Sequence, residues 1–579
     1  MRTRAHRLIL VGAVAIAGGA GFAQVGRGWS DWPTPYADAQ RTSWVRTDPK
    51  ISVESMSKPG FELQWTSRLD NGRRGSQRVT QGVTASGVTL FVPTSIVAGS
   101  ANNLYMIDND TGYVVWSRSF EGSLPAPTAT CSGGITAAPT RIVNGTAEPT
   151  PAPGVATVSP PGRGNQQGYR SLLGEPGQGI PVEPRGGGAG RGGPPGVGGG
   201  GRGAPGAGAP GRGQGPRIPG APDLGGGGLG RAMVSYAVAR DGQLHVIGLQ
   251  SGKDLQKPAP FLPPSSQWSN PVAVGTMMYA ATSGNCAGAL NAVYAIDLDA
   301  PDKPVISYRT KGGSVVGAVA FSSEGDTLFA AIGPGSVTGD GKANAIVALD
   351  PRTLQLKDWF TQPTTEFVTG PTVFRHGAKD LVAAATKDGR VILLDAASLG
   401  GTNHTAPLMT SQSLVASGGS IAAEALATWA RATAAPPTAR GGEQRWILVP
   451  ISGRTSVDRA TNGAIRTGAV IALRVAEANG VFSLEPEWTS NDLSTPATPL
   501  IVNGVVFALS TGRLASAGGT GSRAVLYAYD GVAGKALWNS STSMTTLASP
   551  GSFWTALSQV YVGSDDRTVY AFGFLDERR

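Results

Sequence analysis

Few arrangements in this chain of 579 residues combine the residue types and spacing that a reaction centre needs. The strongest candidate is Asp458, in a charged predicted hairpin that runs from Ser452 to Arg466. If this hairpin lines a pocket, Asp458 is the best single candidate for a general base, because a base must lie within hydrogen-bond reach of its substrate. The alternative is a solvated hairpin without chemistry. No other catalytic residue and no metal site is predicted.

Histidine and cysteine offer little further chemistry. His245, His376 and His404 are isolated along the chain, so neither a zinc site nor a catalytic triad is predicted. The sequence contains no Cys-x-x-Cys-His motif, and a built-in c-type cytochrome is therefore not expected. The only cysteines are Cys131 and Cys286. In an oxidising compartment, two cysteines often form a disulfide.

The first 23 residues have the composition of a secretory signal peptide. Arg2, Arg4 and Arg7 precede an apolar stretch over 8–20, and small residues follow at 21–23. The apolar run is too short and too rich in glycine for a membrane span. We therefore expect a cleaved signal peptide and a mature protein that is periplasmic or secreted, with no transmembrane segment.

The positive net charge is concentrated in two short regions. The whole chain carries a formal charge of +9. Three arginines belong to the signal peptide, and residues 161–231 carry eight arginines against three acidic residues. The remaining chain has a net charge of about +1, so the charge does not predict specific binding of nucleic acid.

A short pattern recurs eight times: an apolar strand, an acidic or equivalent residue, a turn and then an aromatic residue. The copies lie at 104–108, 244–248, 293–297, 346–350, 391–395, 470–474, 526–530 and 569–573. Each is preceded by a second apolar strand and by a strand of small residues. Allowing for two insertions, the period is about 50 residues, typical of a four-stranded propeller blade. The aspartates that end several copies should accept hydrogen bonds from the following turn.

The two ends of the repeat predict how the ring closes. The last copy has no outer, aromatic-bearing strand after it, whereas residues 61–67 have the pattern of an outer strand without an inner partner. Pairing this strand with 570–574 removes two free strand edges. We therefore predict an all-β fold: one eight-bladed propeller over 61–579, closed by an N-terminal outer strand and preceded by a leader over 24–60.

The repeat resembles that of the pyrroloquinoline quinone (PQQ) dependent dehydrogenases and their non-catalytic relatives. The leader, with Asp31-Trp32 and the run 36–42, is similar to the segment that precedes the first blade in these quinoproteins. In that family, aromatic residues of the outer strands stack between neighbouring blades as a girdle. The resemblance assigns this role to Trp65, Trp116, Tyr308, Trp359, Trp488 and Trp538, and leaves two blades without the aromatic residue.

The resemblance also implies a possible active site on the ring axis. Quinoprotein dehydrogenases hold a calcium ion with carboxylate and amide oxygens, and many sandwich the quinone under two adjacent cysteines. Here Cys131 is followed by Ser132, and the calcium-ligating residues are not recognisable in the sequence. We therefore predict no cofactor, with PQQ and calcium expected only if the chain is an enzyme.

Strand alternation places Cys131 and Cys286 on the same face of adjacent blades, which favours a disulfide; two separate buried thiols are the alternative. Two insertions should leave the opposite face. Residues 142–231 of blade 2 are rich in Gly, Pro and Arg and are predicted to be disordered. Residues 418–442 of blade 6 begin with Ser420 as a plausible N-cap and predict a short helix.

Two functions fit the sequence. The first is an exported, non-catalytic propeller, expected to be a monomer, that binds a protein or an anionic polymer as a binding or scaffold module. The second is a calcium- and PQQ-dependent dehydrogenase that oxidises an alcohol or sugar in the periplasm. The balance of the observations favours the first, because fold alone does not carry activity.

Overall fold

Eight antiparallel sheets stand around a common axis in the computed structural model of the chain. The structure describes residues 32–70, 79–85, 93–120, 137–143, 233–284, 286–300, 302–421, 424–432, 443–514 and 521–574. The predicted eight-bladed, all-β propeller is therefore confirmed. Across this part of the chain, no helix is long and apolar enough to cross a membrane.

Three elements precede the blades: β1 (Trp44–Val45), α1 (Val53–Met56) and β2 (Phe61–Arg68). Blade 1 contains β3 (Val83–Ala85), β4 (Thr94–Gly99), β5 (Asn103–Asp108) and β6 (Val114–Ser119). The next strand in the chain is β7 (Ile142–Val143), followed by the strands of blade 2: β8 (Val234–Val238), β9 (Gln243–Gly248) and β10 (Ala259–Pro260).

Blade 3 contains β11 (Gln267–Trp268), β12 (Val272–Val274), β13 (Met277–Ser283), β14 (Ala292–Asp297) and β15 (Val305–Arg309), and β7 joins it. Blade 4 contains β16 (Val315–Phe321), β17 (Leu328–Ile332), β18 (Ala345–Leu349) and β19 (Leu356–Thr361). Blade 5 contains β20 (Thr372–His376), β21 (Lys379–Ala385), β22 (Val391–Asp395) and β23 (Met409–Thr410). Two 3₁₀ turns cover Cys286–Gly288 and Gly401–Asn403.

Blade 6 contains β24 (Ser420–Ile421), β25 (Ala427–Ala432), β26 (Glu443–Ser452), β27 (Gly468–Ala478) and β28 (Val481–Thr489). Blade 7 contains β29 (Leu500–Val502), β30 (Val505–Ser510), β31 (Val525–Asp530) and β32 (Ala536–Asn539), with β1 as an added fifth strand. Blade 8 contains β33 (Ala548–Ala556), β34 (Gln559–Ser564) and β35 (Thr568–Phe574), and β2 completes it.

The ring is closed by the pairing of the two ends of the chain. The strands β2 and β35 pair antiparallel, from Phe61 opposite Phe574 to Arg68 opposite Thr568. The Phe61 ring packs against Phe574 and Trp538, with ring centroids 5.2 and 4.9 Å away. The predicted closure is therefore confirmed, and it seals the edge of the last blade.

Three outer-strand tryptophans each join their blade to the next one. The indole N–H of Trp65 donates to the carbonyl of Asn109 at 3.0 Å, and that of Trp116 donates to the carbonyl of Leu249 at 2.8 Å. The indole of Trp488 donates to Gly531 at 2.9 Å. Each acceptor lies in the turn between the third and outer strands of the following blade. The repeat therefore stabilises the ring through bonds between blades as well as through packing within each sheet.

The turn that meets each of these indoles contains a glycine with positive φ. At Gly534, with φ of +67°, an added Cβ would lie 2.4 Å from Trp488 Cγ. We expect Gly534→Ala to lower the free energy of unfolding by about 2–4 kcal/mol, because both the backbone strain and the contact oppose it. At Gly480, φ is +80° and nothing lies within 4 Å, so the matched Gly480→Ala should cost only about 1–2 kcal/mol. If urea unfolding gave the two variants the same loss of free energy of unfolding, a role for the indole contact would be contradicted.

The predicted helix within 418–442 is wrong. Residues Ala427–Ala432 form β25, which pairs antiparallel with β26 from Ala427 opposite Leu448 to Ala432 opposite Glu443. Its first four residues, 427–430, are buried. The alanine-rich composition favours a helix in isolation, but pairing with β26 and burial against blade 7 outweigh this weak preference. Residues 422–423 and 433–442 lie outside the described residues.

The predicted insertion in blade 2 can be compared with the structure only at its start. Of residues 142–231, the structure describes Ile142 and Val143, which form β7 and pair in parallel with β12 of blade 3. The remainder lies outside the described residues. The innermost strand of blade 2 therefore begins with the bridge between Thr140 and Tyr236 and then passes to the neighbouring blade.

Candidate functional site

The leader lies inside the ring and follows the inner strands in chain order. Backbone carbonyls of the leader accept N–H bonds from the innermost strands of six blades at 2.8–3.0 Å. The accepting residues are Trp32, Pro33, Ala39, Gln40, Thr42 and Ser43, and the donors are Thr84, Arg141, Phe321, Val373, Thr428 and Ile501, in blades 1, 2, 4, 5, 6 and 7. The leader thus satisfies the free edges of these inner strands. It lies in the centre of the ring where the inner strands meet it.

The leader contacts blades 3 and 8 through side-chain hydrogen bonds. The Thr34 hydroxyl donates to the carbonyl of Pro271 at 3.2 Å, just before β12. The Ser558 hydroxyl of blade 8 donates to Asp48 Oδ1 at 2.7 Å. The leader therefore contacts all eight blades and holds the ring together from within.

Arg41 is the main polar anchor of the leader, and its side chain is fully buried. Its guanidinium donates to the carbonyls of Val319 at 2.9 Å, Pro35 at 2.7 Å and Asn270 at 3.2 Å, and to the Thr34 hydroxyl at 3.2 Å. Burial lowers the pKa of Arg41 to about 10, so it remains charged at neutral pH. A planar group with several fixed donors suits this cluster of carbonyls.

Next to Arg41, three side chains meet on the axis: Tyr36, Asn270 and Glu424. The Tyr36 phenol donates to Glu424 Oε2 at 2.6 Å, and Asn270 Nδ2 lies 3.4 Å from the same oxygen. Burial, together with the Glu424 carboxylate, raises the pKa of Tyr36 well above its usual value, so the phenol remains a donor. We call these three residues the axial cluster.

The axial cluster is the place where the family resemblance implies calcium and PQQ, and its residues do not fit that group. Asn270 Oδ1 accepts the N–H of Ala138 at 2.9 Å, so the amide nitrogen, not the oxygen, faces Glu424. Calcium takes about six to eight oxygen ligands. Within the described ranges, no group of three His, Cys, Asp or Glu side chains could hold a metal ion. No reaction step through a quinone follows from these residues.

Asp458, the candidate base of the sequence, lies on the exposed hairpin of blade 6, whose next residues pack against the outer strand of that blade. The Thr489 hydroxyl donates to the carbonyl of Arg459 at 3.1 Å, and Asn462 Nδ2 donates to the carbonyls of Thr489 and Gly534 at 2.8 Å. The structure therefore does not bring Asp458 together with the axial cluster.

The other residues singled out in the sequence take part in packing and in turn hydrogen bonds. Trp359 stacks on His404 with ring centroids 3.7 Å apart, and burial raises the pKa of Tyr308 to about 12. Cys286 is buried at the start of a 3₁₀ turn, and Cys131 lies outside the described residues, so their disulfide stays a prediction. The aspartates that end third strands accept N–H bonds from the next turn, as predicted, at positions 108, 297, 350, 395 and 530.

Sequence reasoning missed the axial cluster. Tyr36 was part of the recognised leader, but nothing in a single sequence shows that a leader enters the ring. Asn270 and Glu424 precede the inner strands of blades 3 and 6, more than 150 residues apart along the chain. A polar residue just before the small-residue strand of a blade is the signal that could have identified both.

No protein-family model matches the chain, and no curated protein matches it. Among solved structures, a quinohemoprotein alcohol dehydrogenase from Comamonas testosteroni aligns with a TM-score of 0.52 and 13% identity, over 95% of this chain and 81% of that one. A europium-containing methanol dehydrogenase aligns with a TM-score of 0.50 and 11% identity, over 94% and 98%.

BamB from Moraxella catarrhalis aligns with a TM-score of 0.41 and 12% identity, over 90% of this chain and 99% of that one. At such identities, a structural likeness shows the fold alone. The repeat in the sequence and the two dehydrogenase structures agree on that fold, which is an eight-bladed propeller.

Proposed function

We propose that this chain is an exported, non-catalytic propeller that binds a protein or an anionic polymer. The binding surface is the face formed by the hairpins between the second and third strands of the blades. Because strands alternate in direction, all of these hairpins leave the ring on the same side.

The observation that carries the proposal is the exposure of apolar side chains on this face. Leu290 of blade 3, Val337 of blade 4 and Leu514 of blade 7 are 53%, 51% and 75% exposed. All three lie in hairpins between second and third strands. Contiguous apolar patches mark interaction sites. Leu290 and Val337 lie in the hairpins of neighbouring blades, and Leu514 lies in a hairpin across the ring, so the proposed partner covers several blades of this face.

The arrangement of the axis supports a binding role. Tyr36 and Asn270 direct their donors at Glu424, and the guanidinium of Arg41 is used by carbonyls of the ring. A general base needs an acceptor that is free to take a proton from substrate. In the axial cluster, one of the two carboxylate oxygens, Glu424 Oε2, already accepts from two groups of its own chain.

The binding face can be tested by photo-crosslinking in cells that produce the protein naturally. A crosslinking amino acid is placed at Leu290, Val337 or Leu514, and at Tyr113 and Val481 as exposed controls away from this face. We expect adducts of higher mass from the three hairpin positions and not from the controls. Adducts from no position, or equally from all five, would contradict the proposed face.

We also propose that Cys131 and Cys286 form a disulfide that holds this face together. Such a bond would stabilise the fold by about 2–4 kcal/mol by restricting the unfolded chain. We expect no reactive thiol in the unreduced, denatured protein and two after reduction. Cys286→Ser should lower the unfolding midpoint and release one thiol. Two reactive thiols before reduction would show that the bond does not form.

The second candidate function is a PQQ- and calcium-dependent dehydrogenase that oxidises an alcohol or sugar. The specific observation in its favour is that a carboxylate, an amide and a phenol meet on the ring axis. The amide orientation described above speaks against a calcium ligand set. Direct reconstitution separates the two functions.

A further inference from the structure

A cavity of about 390 Å³ lies between blades 1 and 2, away from the axial cluster. It is lined by Arg118, Ser119 and Phe120 at the end of the outer strand of blade 1, and by Asp241 and His245 of blade 2. Because Asp241 lies in the hairpin between the second and third strands of blade 2, the cavity opens on the proposed binding face, apart from the three exposed apolar residues.

Two residues of the cavity depart from the repeat that builds the rest of the ring. Two positions after the outer-strand tryptophan, three other blades have serine, and blade 1 has Arg118. Two of these serines, Ser490 and Ser540, accept the N–H of a third strand at 2.9 Å. Arg118 makes no such bond and reaches blade 2 instead. The repeat therefore does not require an arginine there.

The second departure is His245, in the third strand of blade 2. At this position, four other copies of the repeat have tyrosine, at 105, 294, 527 and 570. The phenol of Tyr105 donates to the carbonyl of Asp70 at 2.6 Å, which shows how the usual residue satisfies its polar group. Two departures from one structural repeat thus coincide at one cavity.

The polar groups of the cavity form a network with one unused acceptor. His245 Nδ1 lies 3.0 Å from Asp254 Oδ1, and Arg118 forms an ion pair with the same carboxylate. Burial lowers the pKa of His245, which favours the neutral ring at neutral pH, and the Asp254 carboxylate beside Nδ1 favours the proton on that nitrogen. The opposite nitrogen, Nε2, is buried and has no hydrogen-bond partner. An acceptor left in this condition favours a ligand that donates.

Asp241 adds a second acceptor at the exposed mouth of the cavity. It begins a tight turn with Gly242, where φ is +78° and an added Cβ would lie 1.9 Å from the carbonyl oxygen of Leu262. The turn therefore fixes the position of the carboxylate. Asp241 Oδ1 accepts the N–H of Gln243 at 3.0 Å.

The balance of charge selects a neutral ligand. Arg118 pairs with the Asp254 carboxylate and Asp241 lines the same cavity, so an anion would be repelled by the acidic groups and a cation by the guanidinium. A hydroxyl group can accept a bond from Arg118 and at the same time donate to Asp241 or His245. The Phe120 ring, packed against His245 at 4.4 Å between centroids, supplies an apolar wall.

We propose that this cavity is a binding site for a neutral saccharide, whose hydroxyl groups bond with Arg118, Asp241 and His245. The site lies on the same face as the proposed partner surface but uses none of Leu290, Val337 and Leu514, so saccharide binding and crosslinking at those three positions are tested separately. Loss of either property leaves the other unchanged.

The test measures binding of N-acetylglucosamine and cellobiose to the full mature protein by calorimetry and saturation-transfer NMR. Lysine and inorganic phosphate serve as cationic and anionic probes. We expect a saccharide to bind with a Kd in the millimolar range or below, and neither ionic probe to bind at the same concentration. Asp241→Asn should weaken binding about tenfold.

The decisive variant restores the repeat. Arg118→Ser combined with His245→Tyr gives blade 1 and blade 2 the residues that other blades use and should bind saccharide at least about tenfold more weakly. Because it also removes both partners of the Asp254 carboxylate, its unfolding midpoint should fall, and binding is measured well below that midpoint. Asp388→Asn, in the equivalent Asp-Gly hairpin of blade 5, is the matched control and should bind normally. Failure of both sugars to bind the wild type, unchanged binding by the double variant, or binding of lysine or phosphate instead would overturn the proposal.

Discussion

Replacing the closing strand, residues 61–68, with a flexible linker of the same length will abolish the cooperative unfolding of the ring. The strand contributes seven paired residues to blade 8, the Phe61 contacts with blade 7, and the indole bond from Trp65 to blade 1. Its loss exposes the edge of β35 and part of the largest apolar core. We expect a loss of at least about 5 kcal/mol, comparable with the whole stability of a typical domain.

A rescue variant separates closure from any other effect of the linker. Because Phe61 lies opposite Phe574, residues 61–68 can be added after Phe574 through a two-residue Asn-Gly turn, which suits an antiparallel hairpin. We expect this variant to regain a single cooperative transition in urea. A linker variant that unfolds like the wild type, or a rescue that restores nothing, would mean that β2 does not close the ring.

Arg41→Met should lower the free energy of unfolding by about 3–5 kcal/mol, because it leaves several buried acceptors without donors. The guanidinium serves carbonyls of blades 3 and 4 and of the leader itself, and no water reaches this fully buried position. Arg41→Lys should recover only part of the loss, since a single ammonium cannot reproduce the planar set of donors.

The measurement is urea unfolding followed by tryptophan fluorescence, with Arg352→Met as the control. The Arg352 side chain is exposed, so its replacement should change the free energy of unfolding by less than about 0.5 kcal/mol. A loss at Arg41 no larger than that of the control would show that the leader does not depend on this residue for its place in the ring.

The ring could be predicted from the sequence because it depends on a repeat. Each blade shows its third strand and its turn in local sequence, and the unmatched strand at 61–67 had one free edge to join. The outer-strand tryptophans followed from the same register, and Trp65, Trp116 and Trp488 each donate to the next blade. Local pattern and long-range pairing agree in these elements.

The axial cluster could not be predicted in the same way. The leader, with Tyr36, Ala37, Arg41 and Ser43 all at positive φ, adopts a compact path that no periodic pattern encodes. Its bonds join residues separated by up to several hundred positions in the chain. Such contacts depend on the assembled ring, so the local sequence does not encode them.

Around Ala427, the local composition predicts the wrong element. A run rich in alanine favours a helix when it is considered alone, yet this segment is needed as the innermost strand of blade 6. The backbone N–H of Thr428 donates to the leader at Thr42, a contact that a helix could not offer in this register. The requirement of the ring therefore outweighs local propensity.

In the proposed function, the axis holds the ring together and does not hold a quinone. The most direct test is titration of the purified mature protein with PQQ in the presence of calcium, followed by absorbance and by dye reduction with alcohols or glucose. We predict no change in quinone absorbance at micromolar PQQ and no dye reduction. A quinone spectrum altered by binding, with substrate-dependent dye reduction that is lost in Glu424→Gln, would contradict the claim and establish the dehydrogenase instead.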